Sequence, residues 1–244
     1  MRIGRRRGCG INAFDRGHPR KFAAYGFIGW WNVFYLTGLT GSNINGFVDQ
    51  FGAGNNATQA TDANRAALST TAWNGKPCAD WGASGTRGYV TPSVSFGAHT
   101  FLMVGQGNAS SGYAIVQTND GTAGYIFGTD GCASVVTRSG VASGRSQPNW
   151  LRDGVKKGAG RTFNGTHAAH LLYVSGIDVA APTCGTGNDP GLGNGATGPL
   201  YIGCMQTIAN SFRGLWGELL AYRSAMPPQV VKRIFNRQRA LWPM

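Results

Sequence analysis

From about residue 22 to residue 212 the chain alternates short apolar or β-branched runs with Gly, Asn, Ser and Asp turns. The runs fall at 22–36, 88–95, 99–105, 112–118, 123–128, 133–137 and 168–174, with a further one at 214–222. Strands this short, evenly spaced and without βαβ alternation, predict an all-β fold, an antiparallel two-sheet jelly-roll sandwich. The stretches 40–75 and 182–198 are so rich in turn formers that both are expected to be long loops. Helical spacing appears over 228–241, where Val230, Val231, Ile234, Phe235 and Leu241 recur after Pro227 and Pro228, with Ser224 as an available cap. Lys232, Arg233, Asn236, Arg237 and Arg239 are expected on the solvent side of that helix. Residues 1–22 have no apolar period and form a basic N-terminal arm, leaving 23–244 as one domain that includes the helix.

Composition sharpens this. Thirty-nine glycines and only 13% charged residues in 244 fit turn-rich β structure and exclude coiled coil and charged disorder. Among ten acidic residues there is one glutamate, Glu218, which excludes any mechanism built on clustered glutamates. A net charge of +12 would ordinarily point to nucleic acid. Its distribution argues otherwise. Residues 1–22 hold seven Lys/Arg and one Asp (+6), residues 213–244 hold six Lys/Arg and Glu218 (+5), and the 190 residues between are close to neutral (+1). The arm residues Arg2, Arg5, Arg6, Arg7, Arg16, Arg20 and Lys21 are therefore expected to contact a partner, and sequence-specific nucleic acid is not.

The five cysteines, Cys9, Cys78, Cys132, Cys184 and Cys204, show no CxxC or short zinc spacing, and their odd number leaves at least one thiol unpaired within the chain. A reduced compartment is the simpler expectation and an intermolecular bridge the alternative. Arg5, Arg6 and Arg7 lack the apolar run of an export signal. The charge-free run Phe22–Val48 imitates a membrane span, but Gly26, Gly29, Asn32, Thr37, Gly38 and Gly41 interrupt it, and Trp30, Trp31, Phe34 and Tyr35 suit strands. A buried strand pair is expected there, and no membrane.

The run VDQFGAGNNATQATDANRAAL, Val48 to Leu68, resembles the "D-x-SG-x-GN-x-ATQ" segment of laminin G-like jelly rolls of the concanavalin A-like lectin/glucanase superfamily, found in bacterial and phage proteins. Asn74 to Pro77 (NGKP), Leu200 to Gly203 (LYIG), Phe212 to Met226 (FRGLWGELLAYRSAM) and the closing Ala240 to Trp242 resemble that family's later motifs in the same order. The chain departs from the pattern at Gln50 and Phe51, where the family has a small residue and serine, and at Ala66, where it has proline. The resemblance implies a concanavalin A-like jelly roll and, since such domains occur in phage structural proteins, a bacteriophage virion component.

Candidate chemistry is sparse. The superfamily's glucanases carry an E-x-D-x-E strand, and its absence here removes the local carboxylate pair that glycoside hydrolysis needs. Glu218, central in an apolar strand, is expected to be held by backbone or by an arginine near the helix junction. His167 and His170, if on a strand, would face opposite sides and bind no metal. Asp49, Asn55 and Asn56 offer oxygens for calcium, but the same residues are ordinary turn formers. Trp73, Trp81 and Tyr89 lie in or beside expected loops, where their rings could stack on sugars or close the ends of the sandwich. No catalytic residue, metal or cofactor is assigned. The main expectation is a non-enzymatic virion structural protein, assembled in the host cytoplasm as a capsid-decorating or tail-associated module. Its expected partners are the major capsid protein or tail components, in a homo-oligomeric or multicopy arrangement. The alternative is a carbohydrate-binding, lectin-like module that contacts host surface glycans.

Overall fold

The computed structural model describes residues 17–82, 86–95, 97–108, 113–117, 123–128, 134–138, 141–145, 153–179, 183–191, 197–204 and 211–244. In chain order the strands are β1 (Phe27–Asn32), β2 (Leu36–Thr40), β3 (Asn43–Phe47), β4 (Ala57–Thr58), β5 (Ala67–Trp73), β6 (Lys76–Asp80), β7 (Tyr89–Ser95), β8 (His99–Gly107) and β9 (Tyr113–Gln117). They continue with β10 (Ala123–Gly128), β11 (Ser134–Arg138), β12 (Val141–Arg145), β13 (Lys157–Phe163), β14 (Leu171–Val174), β15 (Ile177–Val179), β16 (Thr183–Gly187), β17 (Thr197–Ile202) and β18 (Gly214–Tyr222). Among the described residues there is one α-helix, α1 (Pro228–Leu241), and a short 3-10 segment, Pro19–Tyr25, opens the described part.

Every strand pairing is antiparallel. One sheet runs β1-β18-β8-β13-β14-β15. The other runs β2-β3-β4-β7-β17-β9-β10-β11-β12-β16. The β5–β6 hairpin joins them at one rim, β5 touching β3 and β6 touching β18. This is the two-sheet jelly-roll sandwich the strand spacing predicts.

The central strands of the first sheet are buried on both faces, which explains why they read as unbroken apolar runs. Along β18, Leu219 and Ala221 enter the core between the sheets, while Leu220 and Tyr222 join a second cluster under α1. Trp31 and Trp30 of β1 divide in the same way, following the two-residue period of a strand. Helix α1 has the predicted bounds, and Val231, Ile234 and Phe235 are buried beneath it. Phe235 is seated by glycine: a Cβ on Gly158 would lie 2.4 Å from its ring, so this close approach of helix to sheet requires the missing side chain. The cap differs from expectation, because Pro227 occupies the N-cap position and no side chain caps the helix.

Other departures share a physical cause. Residues 40–75 are not one loop but contain β3, β4 and β5, and 182–198 contains β16 and the start of β17. Asn- and Gly-rich segments have weak strand propensity of their own, and cross-strand pairing supplies what propensity lacks. The domain also begins before residue 23. Gly17 lies against the carbonyl of Arg233, His18 meets Trp30 edge-on at 5.4 Å, Phe22 is buried, and Tyr222 Oη donates to the carbonyl of Pro19 at 3.3 Å. Arg2, Arg5, Arg6, Arg7 and Arg16 lie outside the described residues, whereas Arg20 and Lys21 sit exposed on the 3-10 segment.

The two departures from the family pattern also have local reasons. Phe51 stacks on Phe27 with ring centroids 3.7 Å apart, using the larger side chain. Ala66 donates its N–H to Tyr89 Oη at 2.9 Å, a bond that proline could not make.

Candidate functional site

Each polar group marked in the sequence can be followed to its partners. Glu218 is buried and fully engaged. Trp30 Nε1 donates to Oε1 at 2.7 Å, Arg237 Nη1 donates to both oxygens at 2.9 and 2.7 Å, and Gln238 Nε2 donates to Oε2 at 3.1 Å. The arginine expected near the helix junction is thus Arg237. Its own predicted place on the solvent face is overturned, since it is 3% exposed and points into the sheet.

Asp49 is also structural. Its carboxylate accepts the N–H groups of Trp30 and Phe51 on one oxygen and those of Ala53 and Asn55 on the other. Asn55 Nδ2 donates to the carbonyl of Ile28, and Asn56 Oδ1 accepts from the N–H of Asp49. Four amide donors hold the carboxylate and organise the Gly-rich segment, so these residues form a turn core.

The three rings considered for sugar stacking are all interior. Trp73 and Tyr89 are 0% and Trp81 1% exposed. Tyr89 Oη donates to the carbonyl of Ile44 at 2.8 Å, and burial pushes its phenol well above the ordinary range. Trp81 lines an apolar pocket between the sheets with Met103, Phe212 and Trp216. Trp73 packs edge-on against Trp242 at 5.8 Å, and its Nε1 donates to the carbonyl of Pro243. None of the three offers a face to a ligand, because strands β5, β6 and β7 replace the loops expected around them.

The exposed rings lie elsewhere, on the β1–β2 turn. Phe34 is 45% and Tyr35 50% exposed, the exposed aromatic side chains among the described residues. Asn32 builds the turn: its Oδ1 accepts the N–H of Phe34 at 2.9 Å, and its carbonyl accepts that of Tyr35. One face of Phe34 rests on Trp242 at 5.3 Å and 29°. The apolar run 22–36 reads as strand through both rings, although Asn32, one of the residues that interrupt that stretch, is the turn former that ends β1 before them.

His167 and His170 do converge, contrary to expectation, because residues 164–169 form a turn and β14 begins only at Leu171. Both Nδ1 atoms approach Ser143 Oγ, at 2.8 and 3.0 Å, and His167 Nε2 lies 3.0 Å from Thr183 Oγ1. Asp189 Oδ1 accepts the N–H of His167, and Arg145 donates to the carbonyls of both histidines. Burial first, then the positive charges of Arg161 and Arg145, hold His170 well below the ordinary imidazole range. Ser143 is fully buried, so the group acts as an internal tie between β12, β16 and the turn. Among the described residues no group of three or more His, Cys, Asp or Glu could hold a metal ion.

Fold and surface together define a jelly-roll β-sandwich bearing one aromatic turn. No family model and no curated protein matches the chain. Solved structures do share its fold. The chain is similar over 85% of its length to 97% of domain 4 of AbnA, a GH43 extracellular arabinanase from Geobacillus stearothermophilus in complex with arabinotriose, at a TM-score of 0.56 and 16% identity. It is similar over 87% of its length to 33% of Trypanosoma rangeli sialidase, with a TM-score of 0.53 and 15% identity. It also matches 53% of the receptor binding domain of botulinum neurotoxin D over 88% of its own length, at a TM-score of 0.50 and 11% identity. The chain therefore spans about a third of the sialidase and half of the neurotoxin domain, and at these identities the likeness establishes the fold.

Proposed function

We propose that this protein is a carbohydrate-binding, lectin-like jelly-roll module that stacks sugar rings on the Phe34–Tyr35 turn. The observation that carries the reading is that the sandwich is nearly coextensive with an arabinanase domain whose complex holds arabinotriose. Phe34 and Tyr35 supply what such a role needs here: open aromatic faces, one of them backed by Trp242 and both fixed by Asn32. The module binds sugar and leaves bond cleavage to other proteins. A virion role rests on the resemblance to the jelly rolls of phage structural proteins and on the basic N-terminal charge, and it is compatible with a glycan-binding module displayed on a particle.

Titration of the purified protein against neutral and charged oligosaccharides tests this. Tyr35→Ala is expected to weaken binding of any bound glycan about tenfold, the scale of one lost ring contact, with an unchanged circular dichroism spectrum. Failure to bind any glycan, or wild-type affinity in both Phe34→Ala and Tyr35→Ala, overturns the proposal.

A further inference from the structure

The two basic ends of the chain, remote in sequence, meet in one layer. The 3-10 segment and α1 both cover the outer face of the first sheet, sharing the cluster of Phe22, Trp30, Tyr222, Val231, Ile234 and Phe235. Gly17 against the Arg233 carbonyl and Gly26 beside the Arg223 side chain join the pieces at two points. The residues that form this layer, 17–27 and 223–244, contain no Asp or Glu. Arg237 is buried against Glu218, and Arg20, Lys21, Arg223, Lys232, Arg233 and Arg239 are exposed. Three of these side chains are tethered to backbone carbonyls: Arg20 to Gln50, Arg223 to Phe27 and Ser95, and Arg239 to Ser175. Each tether orients a guanidinium without neutralising it.

The aromatic turn borders this layer. Phe34 stacks on Trp242, the C-cap residue just after α1, three positions beyond Arg239. We infer that the glycan is a polyuronate, a chain of sugars bearing carboxylates, whose rings meet Phe34 and Tyr35 and whose charges lie along the α1 layer. This inference rests on the proposed carbohydrate-binding function and names its substrate class. Four of the six exposed cations are arginines, whose planar forks match carboxylates. A single-stranded nucleic acid would need successive open rings along the basic track, and here both rings belong to one turn.

The experiment compares the full chain binding polygalacturonate, dextran, dextran sulfate and duplex DNA at low and high salt. Polygalacturonate is expected to bind best and to weaken as salt screens its charges. The double variant Lys232→Glu with Arg233→Glu is expected to lose at least about tenfold in affinity while keeping its thermal midpoint, because both side chains are exposed. If that variant fails to fold, Arg20→Gln with Lys21→Gln provides the same reading from the other segment. Unchanged polygalacturonate binding in a folded variant overturns the inference, as does tighter binding of dextran sulfate or of DNA. Salt-independent binding of a neutral glycan, lost in Tyr35→Ala, overturns the polyuronate assignment but leaves the carbohydrate-binding function standing. Absence of binding to any glycan overturns both.

Discussion

Arg237 Nη1 bridges the two carboxylate oxygens of Glu218 at 2.9 and 2.7 Å, pinning the inner face of α1 to the middle of β18. The pair is almost fully shielded from water. Removing one partner strands the other charge, and such losses cost about 3–5 kcal/mol, whereas replacing both with apolar groups is often neutral. Glu218→Gln and Arg237→Ala should each therefore lower the denaturation free energy by several kcal/mol, and Glu218→Leu combined with Arg237→Met should recover most of it. A double-mutant cycle from urea midpoints checks this. An Arg237→Ala cost below about 0.5 kcal/mol, the scale of an ordinary surface site, would place Arg237 in solvent after all.

Acid should loosen the tie at Ser143. His170 has a lowered pKa in the folded protein, through burial and then the charges of Arg161, Arg145 and His167. Between that value and the ordinary one near 6.5, the unfolded chain takes up a proton that the folded chain refuses. Its contribution to stability is complete above about pH 7 and falls as pH drops through the unfolded-state value, by up to about 1.4 kcal/mol per pH unit. His167 shifts in the same direction, by burial and then Arg145, against Asp189. Urea midpoints between pH 7.5 and 5 should decline, with a shallower slope in His170→Asn. Equal slopes in the two proteins would assign the decline to other groups.

Where the chain is cut at its N-terminus should matter sharply. A truncation of residues 2–16 leaves Gly17, His18 and Phe22 in their contacts and is expected to keep the thermal midpoint. Extending the cut through Phe22 exposes Trp30 and Tyr222 and removes a buried ring, a loss of about 2–3 kcal/mol. Calorimetry on the two truncations distinguishes a domain that begins at 17 from one that begins at 23, which would tolerate both cuts equally.

Cys78 and Cys204 are buried free thiols, and burial pushes them up to about 11 and about 12 respectively. A Cβ on neighbouring Gly88 would lie 2.0 Å from Cys204 Sγ, a measure of how tightly that thiol is enclosed. Thiolate is the reactive form, so both should resist iodoacetamide at pH 8 in the folded protein and react on addition of guanidinium. Peptide mapping by mass spectrometry reads this out site by site. Labelling of either residue before unfolding would show that the core opens locally.

The strand runs at 99–105 and 214–222 are legible as unbroken apolar stretches, because β8 and β18 are buried on both faces, and the helix at 228–241 is legible from its helical period; the run 123–128 coincides with β10. The N-cap was not, because proline geometry at 227 and 228 replaced a side-chain cap. β3, β4, β5 and β16 were hidden, since Asn- and Gly-rich strands carry little propensity and exist through their partners.

What the sequence by itself determined is therefore the class of fold, the need of Glu218 for a backbone or arginine partner, the turn role of Asp49 and the concentration of charge at the two ends. Those follow from periodicity, from the cost of burying a lone carboxylate, and from counting. Tertiary structure alone decided which rings are interior and which are open. Trp73, Trp81 and Tyr89 sit beside turn-forming residues, yet pairing of β5, β6 and β7 encloses them, while Asn32 breaks an apolar run and turns Phe34 and Tyr35 outward. It also decided that Arg237 faces inward, because the packing of α1 on β18 brings it opposite the buried carboxylate of Glu218, which without it would be left without a counter-charge, and that the basic ends share one layer. Residues about 200 positions apart become neighbours only when β1 and β18 pair, and no local pattern encodes that.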